Sequence, residues 1–377
     1  MAAVCLLTCN LPLFGKTTEK KISPPNTANI SKKDGRVQAK PYLKKVYTPA
    51  NVDELKVPAI SPKLSKALQY QKNLLEMRSP GNYFKVGNLS VSKQQMKKTI
   101  AALEYWNSAA IVPFSEYFDV YQINGVDSKG SVKFTGYYSP IVSVRKQPDG
   151  VYRHPIYAAP SGSGAPMPTR KQIEAGALKG QGLEIAYAKS MMEIYQLQMQ
   201  GSGYVQYPNG KTELLSYAGT NGHSRRSLQL HIKENYQDIA PINASLGNFL
   251  KSNPDKTEEV ITSDPSYVFF KTKPGMSATK GAGHVPLTED HSIAVDPRFV
   301  PLGACLLANV PNSNKRGQFL HHSLRLLLAQ DTGGAIKGKG HVDLYTGTGL
   351  VAKKKAALHH YGQMWLLLAK PLVEVGV

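Results

Sequence analysis

Apolar positions recur at helical spacing early in the chain. In "SPKLSKALQYQKNLLEM", Leu64, Leu68 and Leu75 fall on roughly one face behind a Ser-Pro start, and in "SVSKQQMKKTIAALEYW", Met96, Ile100 and Leu103 repeat the pattern. Both stretches predict amphipathic helices. From "GSVKFTGYYSPIVSVRK" onward the pattern changes to short β-rich segments broken by Gly and Pro, such as "GVYRHPIYAAP" and "GSGYVQYPNGKTELLSYAG". "TRKQIEAGAL" and "AYAKSMMEIYQLQM" interrupt them as helical pieces, and a helical block runs from about Ser227 to Ile261. Strands resume at "SYVFFKTK" and continue through "SIAVDPRFV", "LRLLLAQDTGGAI", "HVDLYTG" and "MWLLLAK". No repeat of fixed period appears. The pattern predicts a mainly β chain with helical insertions (α+β), gathered into two compact units.

Composition adds two points. At 377 residues, 41% of them hydrophobic, the chain can bury one large core or two. Charge is lopsided: 46 Lys+Arg against 26 Asp+Glu leave a net +20, a surface that attracts polyanions without naming one. Much of the excess lies in residues 15–57, whose core "SPPNTANISKKDG" cannot bury itself and reads as a basic, solvated tether. Residues 1–14, "MAAVCLLTCNLPLF", are apolar and uncharged but too short to span a bilayer. They resemble the end of a secretory segment. "LLTC" approaches a lipoprotein cleavage box, with Thr8 where a smaller residue is usual, which makes Cys9 a candidate for acylation. Cys305 stands alone in an apolar strand as a buried small hydrophobe.

The chemistry narrows by elimination. Gly333, Gly338 and Lys339 match GxxxxGK, but Gly340 follows where a phosphate loop needs Ser or Thr for magnesium. His341, Asp343 and the pairs His321–His322 and His359–His360 lack metal-site spacing, so neither a metal nor another cofactor is expected. "SGSG" and "QGSG" lack the serine elbow GxSxG. Neither a basic recognition helix nor an RNP-like strand pair supports nucleic acid as a partner. Three aspartates remain. Asp331 leads into Thr-Gly-Gly, where turn N–H groups can hold it ionised, whereas Asp343 alternates with Val342 and Leu344, where desolvation raises a carboxyl toward the range of a general acid. Asp296, in "VDP", suits a turn opening. All three also fit a plainer role, tying turns in a tight barrel.

Seven stretches then carry a resemblance: "FTGYYSP" (134–140), "PIYAAP" (155–160), "QGSGYVQ" (200–206), "SYAGTNGHSRRSL" (216–228), "PSYVFFK" (265–271), "AVDPRFVPLGACLL" (294–307) and "DTGGAIKG…HVDLYTG" (331–347). In this order they resemble the membrane-bound lytic murein transglycosylase A family. The match spans roughly residues 100 to 370. The resemblance implies a discontinuous double-psi β-barrel domain from 58–140 and 249–377, a smaller β-domain inserted at 141–248, and a substrate groove between them. It implies non-hydrolytic cleavage of the β-1,4 bond between N-acetylmuramic acid and N-acetylglucosamine in peptidoglycan, leaving 1,6-anhydromuramoyl ends. The sugar's own C6 hydroxyl is the nucleophile, so one acid/base suffices. By motif, Asp343 takes that role, Asp331 supports it and Asp296 is structural. Thr135, Tyr138, Gln200, Ser202 and Lys271 are the implied sugar ligands. The loop "KGKGHVD" is one residue longer than the family spacing. The implied setting is the periplasm, as an outer-membrane lipoprotein anchored at Cys9, with glycan strands as substrate and cell-wall synthesis proteins as partners. A non-catalytic polysaccharide-binding or wall-loosening barrel is the alternative. The two readings differ on whether Asp343 faces a deep groove with two walls or an open surface.

Overall fold

The computed structural model describes residues 46–371 apart from 78–82, 87–88, 110–112, 162–166, 239–245, 276–277, 315–317 and 358. Cys9, the apolar leader and the tether up to residue 45 lie outside the described residues. Sixteen strands are present among them. In chain order they are β1 (Tyr47–Ala50), β2 (Tyr83–Val86), β3 (Leu89–Ser92), β4 (Phe118–Ile123), β5 (Val132–Ser139), β6 (Ile141–Arg145), β7 (His154–Tyr157) and β8 (Glu184–Ala188). There follow β9 (Gly203–Gln206), β10 (Thr212–Thr220), β11 (Val268–Lys273), β12 (Ser292–Val295), β13 (Cys305–Ser313), β14 (Phe319–Thr332), β15 (His341–Thr348) and β16 (His359–Ala369).

Six of these close into a barrel in the order β5, β16, β13, β14, β12, β15 and back to β5, and β4 and β1 extend the sheet outward from β16. Closure depends on β16. Its first residues pair with β5, its middle with β13 and its end with β4, so one long strand serves three neighbours. Two pairings, β12 with β14 and β15 with β5, are parallel, while the other barrel pairs are antiparallel. Because the outer face is also covered, the apolar runs are continuous rather than alternating. Leu326, Leu327, Leu328 and Ala329 of β14 are all buried. The cover comes from the two predicted helices, Pro62–Met77 and Lys93–Ala109, with Leu64, Leu68, Leu75, Met96, Ile100 and Leu103 packed into the barrel's core. Cys305 is buried in the same core.

The second sheet runs β11, β10, β9, β6, β8, β7. Val142, Val144, Ile156, Leu197, Val205, Leu215 and Phe270 form its core. The Met191–Gln200 helix packs against it, capped at its start by the Ser190 hydroxyl. Gly201 ends this helix with φ +73, a left-handed conformation that costs a side-chain-bearing residue energy and glycine none. The helical stretch "TRKQIEAGAL" is a short α-turn, Arg170–Gln172, running into a π-turn, Ile173–Ala177. The later helical block resolves into the helices Leu228–Asn235, Leu246–Ser252 and Thr257–Thr262, whose Leu228, Ile232, Phe249, Val260 and Ile261 pack on Met191 and Tyr195. The sheet therefore continues past residue 248, where the sequence reading ends the inserted unit. The block packs on the sheet's helix, and β11 then adds an antiparallel edge beside β10. Between two helical elements and a strand that reads alike for either sheet, local pattern carries no information about which core claims them.

Candidate active site

Strand register brings the aspartates together. On β12, Ala294 is the partner of Asp331 on parallel β14 and of Asp343 on antiparallel β15. The two carboxylates, twelve positions apart in sequence, thus flank one small, fully buried residue. On its other side β15 runs parallel to β5, with Asp343 beside Thr135 and Tyr345 beside Tyr137. In the loop "KGKGHVD" before β15, the Gly338 N–H donates to Asp296 Oδ2 at 2.8 Å and the Lys133 N–H donates to the Gly340 carbonyl at 2.8 Å.

The two carboxyls have unequal surroundings. Asp331, 3% exposed, accepts hydrogen bonds from the N–H groups of Ala282 (2.7 Å) and Thr332 (2.8 Å) at Oδ1 and from the Tyr137 hydroxyl at Oδ2 (3.0 Å). Asp343, 0% exposed, accepts one, from Thr135 Oγ1 to Oδ1 at 2.9 Å; its Oδ2 has no hydrogen-bond partner among the described residues. Burial, assisted by the charge of Asp331, pushes Asp343 up to about 8 against the opposing Thr135 hydrogen bond. At neutral pH Asp343 holds a proton. Since Thr135 donates to Oδ1, that proton belongs on Oδ2. Burial also raises Asp331, against the pull of its donors, which corrects the expectation that turn N–H groups leave it simply ionised. In a coupled buried pair the member with three donors ionises first and the member with one keeps the proton.

The surrounding groups hold this division in place. Tyr137, raised well above the usual phenol range by burial and by both aspartates, stays a donor. Its ring lies 5.3 Å from that of Tyr345, whose hydroxyl meets Ser139 Oγ at 2.9 Å. His341 Nε2 lies 3.1 Å from the Thr135 hydroxyl, and burial lowers this imidazole to about 4. A neutral His341 donating from Nε2 leaves the Thr135 hydrogen free for Asp343. The Ala282 N–H reaches Asp331 because Gly281 and Gly283 flank it. A Cβ on either would lie within 3 Å of the Gln330 carbonyl, and one on Gly281 would also strike the Asp331 side chain.

A cavity of about 360 Å³ opens beside this pair. The barrel contributes Tyr137, Tyr138, Ser139, Ala282 and Asp331, and the second sheet contributes Ser216, Tyr217, Lys271 and Lys273, with Gln200 and Ser202 between them. It is a groove with two walls. Asp331, rather than Asp343, borders it; Asp343 lies across Ala294, behind. Among the expected sugar ligands, Tyr138, Gln200, Ser202 and Lys271 line the groove. Gln200 Oε1 also accepts from the Tyr138 N–H at 3.0 Å, tying the helix end to β5. Thr135 does not line it. It is 2% exposed, and its hydroxyl is engaged with Asp343 rather than presented to the groove. Asp296 is elsewhere, held by the Arg298 guanidinium (Nε 2.9 Å, Nη2 2.5 Å) and the Gly338 N–H. Burial opposes its charge, but these donors outweigh burial and keep the carboxyl below its usual value.

Sequence reading missed Tyr137, Ala282, Thr279, Lys273 and Lys280. The alternating glycines of "KGAGHV" (280–285) were a usable signal for backbone close to a ligand. Among the described residues no three His, Cys, Asp or Glu side chains converge as metal ligands, and no helix is long and apolar enough to cross a membrane.

Residues 133–271 match the model of the MltA specific insert domain and residues 291–368 that of the 3D domain. The chain is 36% identical over 263 residues to membrane-bound lytic murein transglycosylase A of Escherichia coli K12, covering 67% of this chain and 70% of that protein. Its counterpart in Vibrio cholerae is 38% identical over 252 residues, covering 65% and 68%. The fold is similar to the crystal structure of E. coli MltA with bound chitohexaose, with a TM-score of 0.75, 29% identity and coverage of 86% of this chain and 95% of that one. With the register that pairs the two aspartates lying inside the matched regions, the chain belongs to the membrane-bound lytic murein transglycosylase A family.

Proposed function

We propose that this protein is a lytic murein transglycosylase that cleaves the β-1,4 bond between N-acetylmuramic acid and N-acetylglucosamine, with Asp343 as its single acid/base. The observation that carries this reading is a buried carboxyl, protonated at neutral pH, whose Oδ2 has no hydrogen-bond partner among the described residues and which stands across Ala294 from Asp331 on the groove wall. Asp343 donates the Oδ2 proton to the glycosidic oxygen as the bond to C1 breaks. Positive charge builds on the muramoyl ring, and Asp331 with its Tyr137 partner supplies fixed negative potential there. The Asp343 carboxylate then removes the proton of the C6 hydroxyl while that oxygen closes on C1, which regenerates the acid and leaves a 1,6-anhydro end. Intramolecular attack has an entropic advantage over water and needs no second catalytic carboxylate. Because Asp331 borders the groove and Asp343 stands behind it, the step requires the covering wall to yield when glycan binds.

Digesting purified sacculi and weighing the fragments tests the reading. Anhydromuramoyl masses are expected; reducing ends without the anhydro loss would assign hydrolysis instead. Full burial of Asp343 favours a second reading, a barrel that grips glycan without cutting it. Binding to sacculi with no soluble product would select it. Names of the relatives place them at a membrane, and we propose that this chain reaches the periplasmic face of the outer membrane through a lipid on Cys9. Metabolic labelling with a palmitate analogue, lost in Cys9→Ser, checks the anchor.

A further inference from the structure

The groove has an uneven charge. Lys271, Lys273 and Lys280 all line it, and none of them forms an ion pair among the described residues. Lys271 and Lys273 are two positions apart on β11, hence on the same face of that edge strand. Lys280 opens the "KGAGHV" turn on the barrel side, so the ammonium groups come from both walls. Asp331 is the groove's one carboxylate among the lining residues, and three donors already engage it. Like charges gathered in a concave site repel one another unless an anion enters. The N-acetylglucosamine backbone is neutral. A muramic-acid glycan brings carboxylates, either on the lactyl ether where no peptide is attached or along the peptide stem where one is.

Resting on the reading of this groove as a glycan site, we propose that Lys271, Lys273 and Lys280 form a carboxylate-binding wall that makes the enzyme prefer anionic glycan to neutral glycan of the same length. The sorting is electrostatic and acts on binding, separately from the proton chemistry on the barrel.

The test is calorimetric binding to the full chain carrying Asp343→Asn, so that turnover does not consume the probe. Three probes of equal length are compared: an N-acetylglucosamine hexamer, a peptide-free glucosaminyl-muramic hexamer and its peptide-bearing form. At least one anionic probe is expected to bind about tenfold tighter than the neutral one, the scale of three partly exposed charge contacts. Lys271→Met, Lys273→Met and Lys280→Met combined should remove that preference, with the larger loss on the anionic probes. Raising salt from about 0.05 M to about 0.5 M should erode it in the parent and not in the triple variant. Preference for the peptide-free probe identifies the lactyl carboxylate, and preference for the peptide-bearing probe alone identifies the stem. Lys→Arg at all three positions keeps the charge and should keep the preference, which separates charge from folding. Equal affinity of the parent for all probes, or equal losses on neutral and anionic probes in the Met variant, overturns the proposal. Because binding is read without cleavage, hydrolytic products from sacculi would sink the transglycosylase reading and leave this one standing.

Discussion

Asp296 and Asp343 occupy the same barrel and expose almost no surface, yet one is ionised and the other holds a proton. At the Asp296 corner, Arg298 and the Gly338 N–H supply several donors and the carboxyl stays ionised below its ordinary range. At Asp343 one threonine hydroxyl is the donor, and burial wins. Asp343 lies deeper in the protein than Asp296 and has fewer donors, so depth and the number and charge of the donors together set the protonation of a barrel aspartate. The first arrangement anchors a loop, and the second holds a proton across Ala294 from the groove-lining Asp331.

The comparison can be broken in four places. The largest effect is expected from Asp343→Asn, which keeps the shape but removes the transferable proton. Turnover of sacculi should fall by about 1,000-fold or more, the upper part of the range for a general acid, with unchanged circular dichroism. Next, Asp331→Asn should retain a measurable fraction, falling by roughly 10- to 100-fold, because it removes electrostatic support rather than the acid itself. Reversed losses in these two variants would exchange their roles.

At the other corner, Asp296→Ala should leave the Gly338 N–H without its acceptor. A loss of about 1–3 kcal/mol in urea unfolding is expected, with the chemistry of Asp343 intact. A catalytic collapse with little loss of stability would contradict a purely anchoring role.

The smallest effects concern pH. Activity should fall as pH rises through about 8, where Asp343 loses its proton. Thr135→Val deletes the hydrogen bond that lowers this carboxyl, so the alkaline limb should move to higher pH. Stability follows the same sign. The folded carboxyl is raised above its unfolded value of 3.8, so its contribution is fully present below that value and is lost as pH rises through about 8. Asp343→Asn should gain on the parent across this window. Thermal unfolding scans at pH 4 and pH 8 measure the difference.

Much of the fold was readable. The faces carrying Leu64, Leu68, Leu75, Met96, Ile100 and Leu103 are those that pack on the barrel, because a stripe recurring every three to four residues leaves a helix one side to bury. The strands around Asp331 and Asp343 were likewise marked by apolar runs ending in glycine turns. Less readable was the allocation of partners. Thr135 read as a sugar ligand because a hydroxyl in a motif suits either role; only parallel register beside Asp343 turns it inward. That β11 joins the second sheet beside β10 was not readable either, because the strand looks the same whichever sheet it joins.

By itself, the order of apolar and polar residues determined which segments are strands and helices, and that two aspartates stand in apolar surroundings near glycine turns. Those are local properties, set by a few neighbours along the chain. Tertiary structure alone decided that Ala294 lies between the two carboxyls, that three donors meet one and one meets the other, and that lysines from two walls share a groove. Strand register and sheet closure bring residues from distant parts of the chain within ångströms, and a proton's affinity depends on charges and donors at that range.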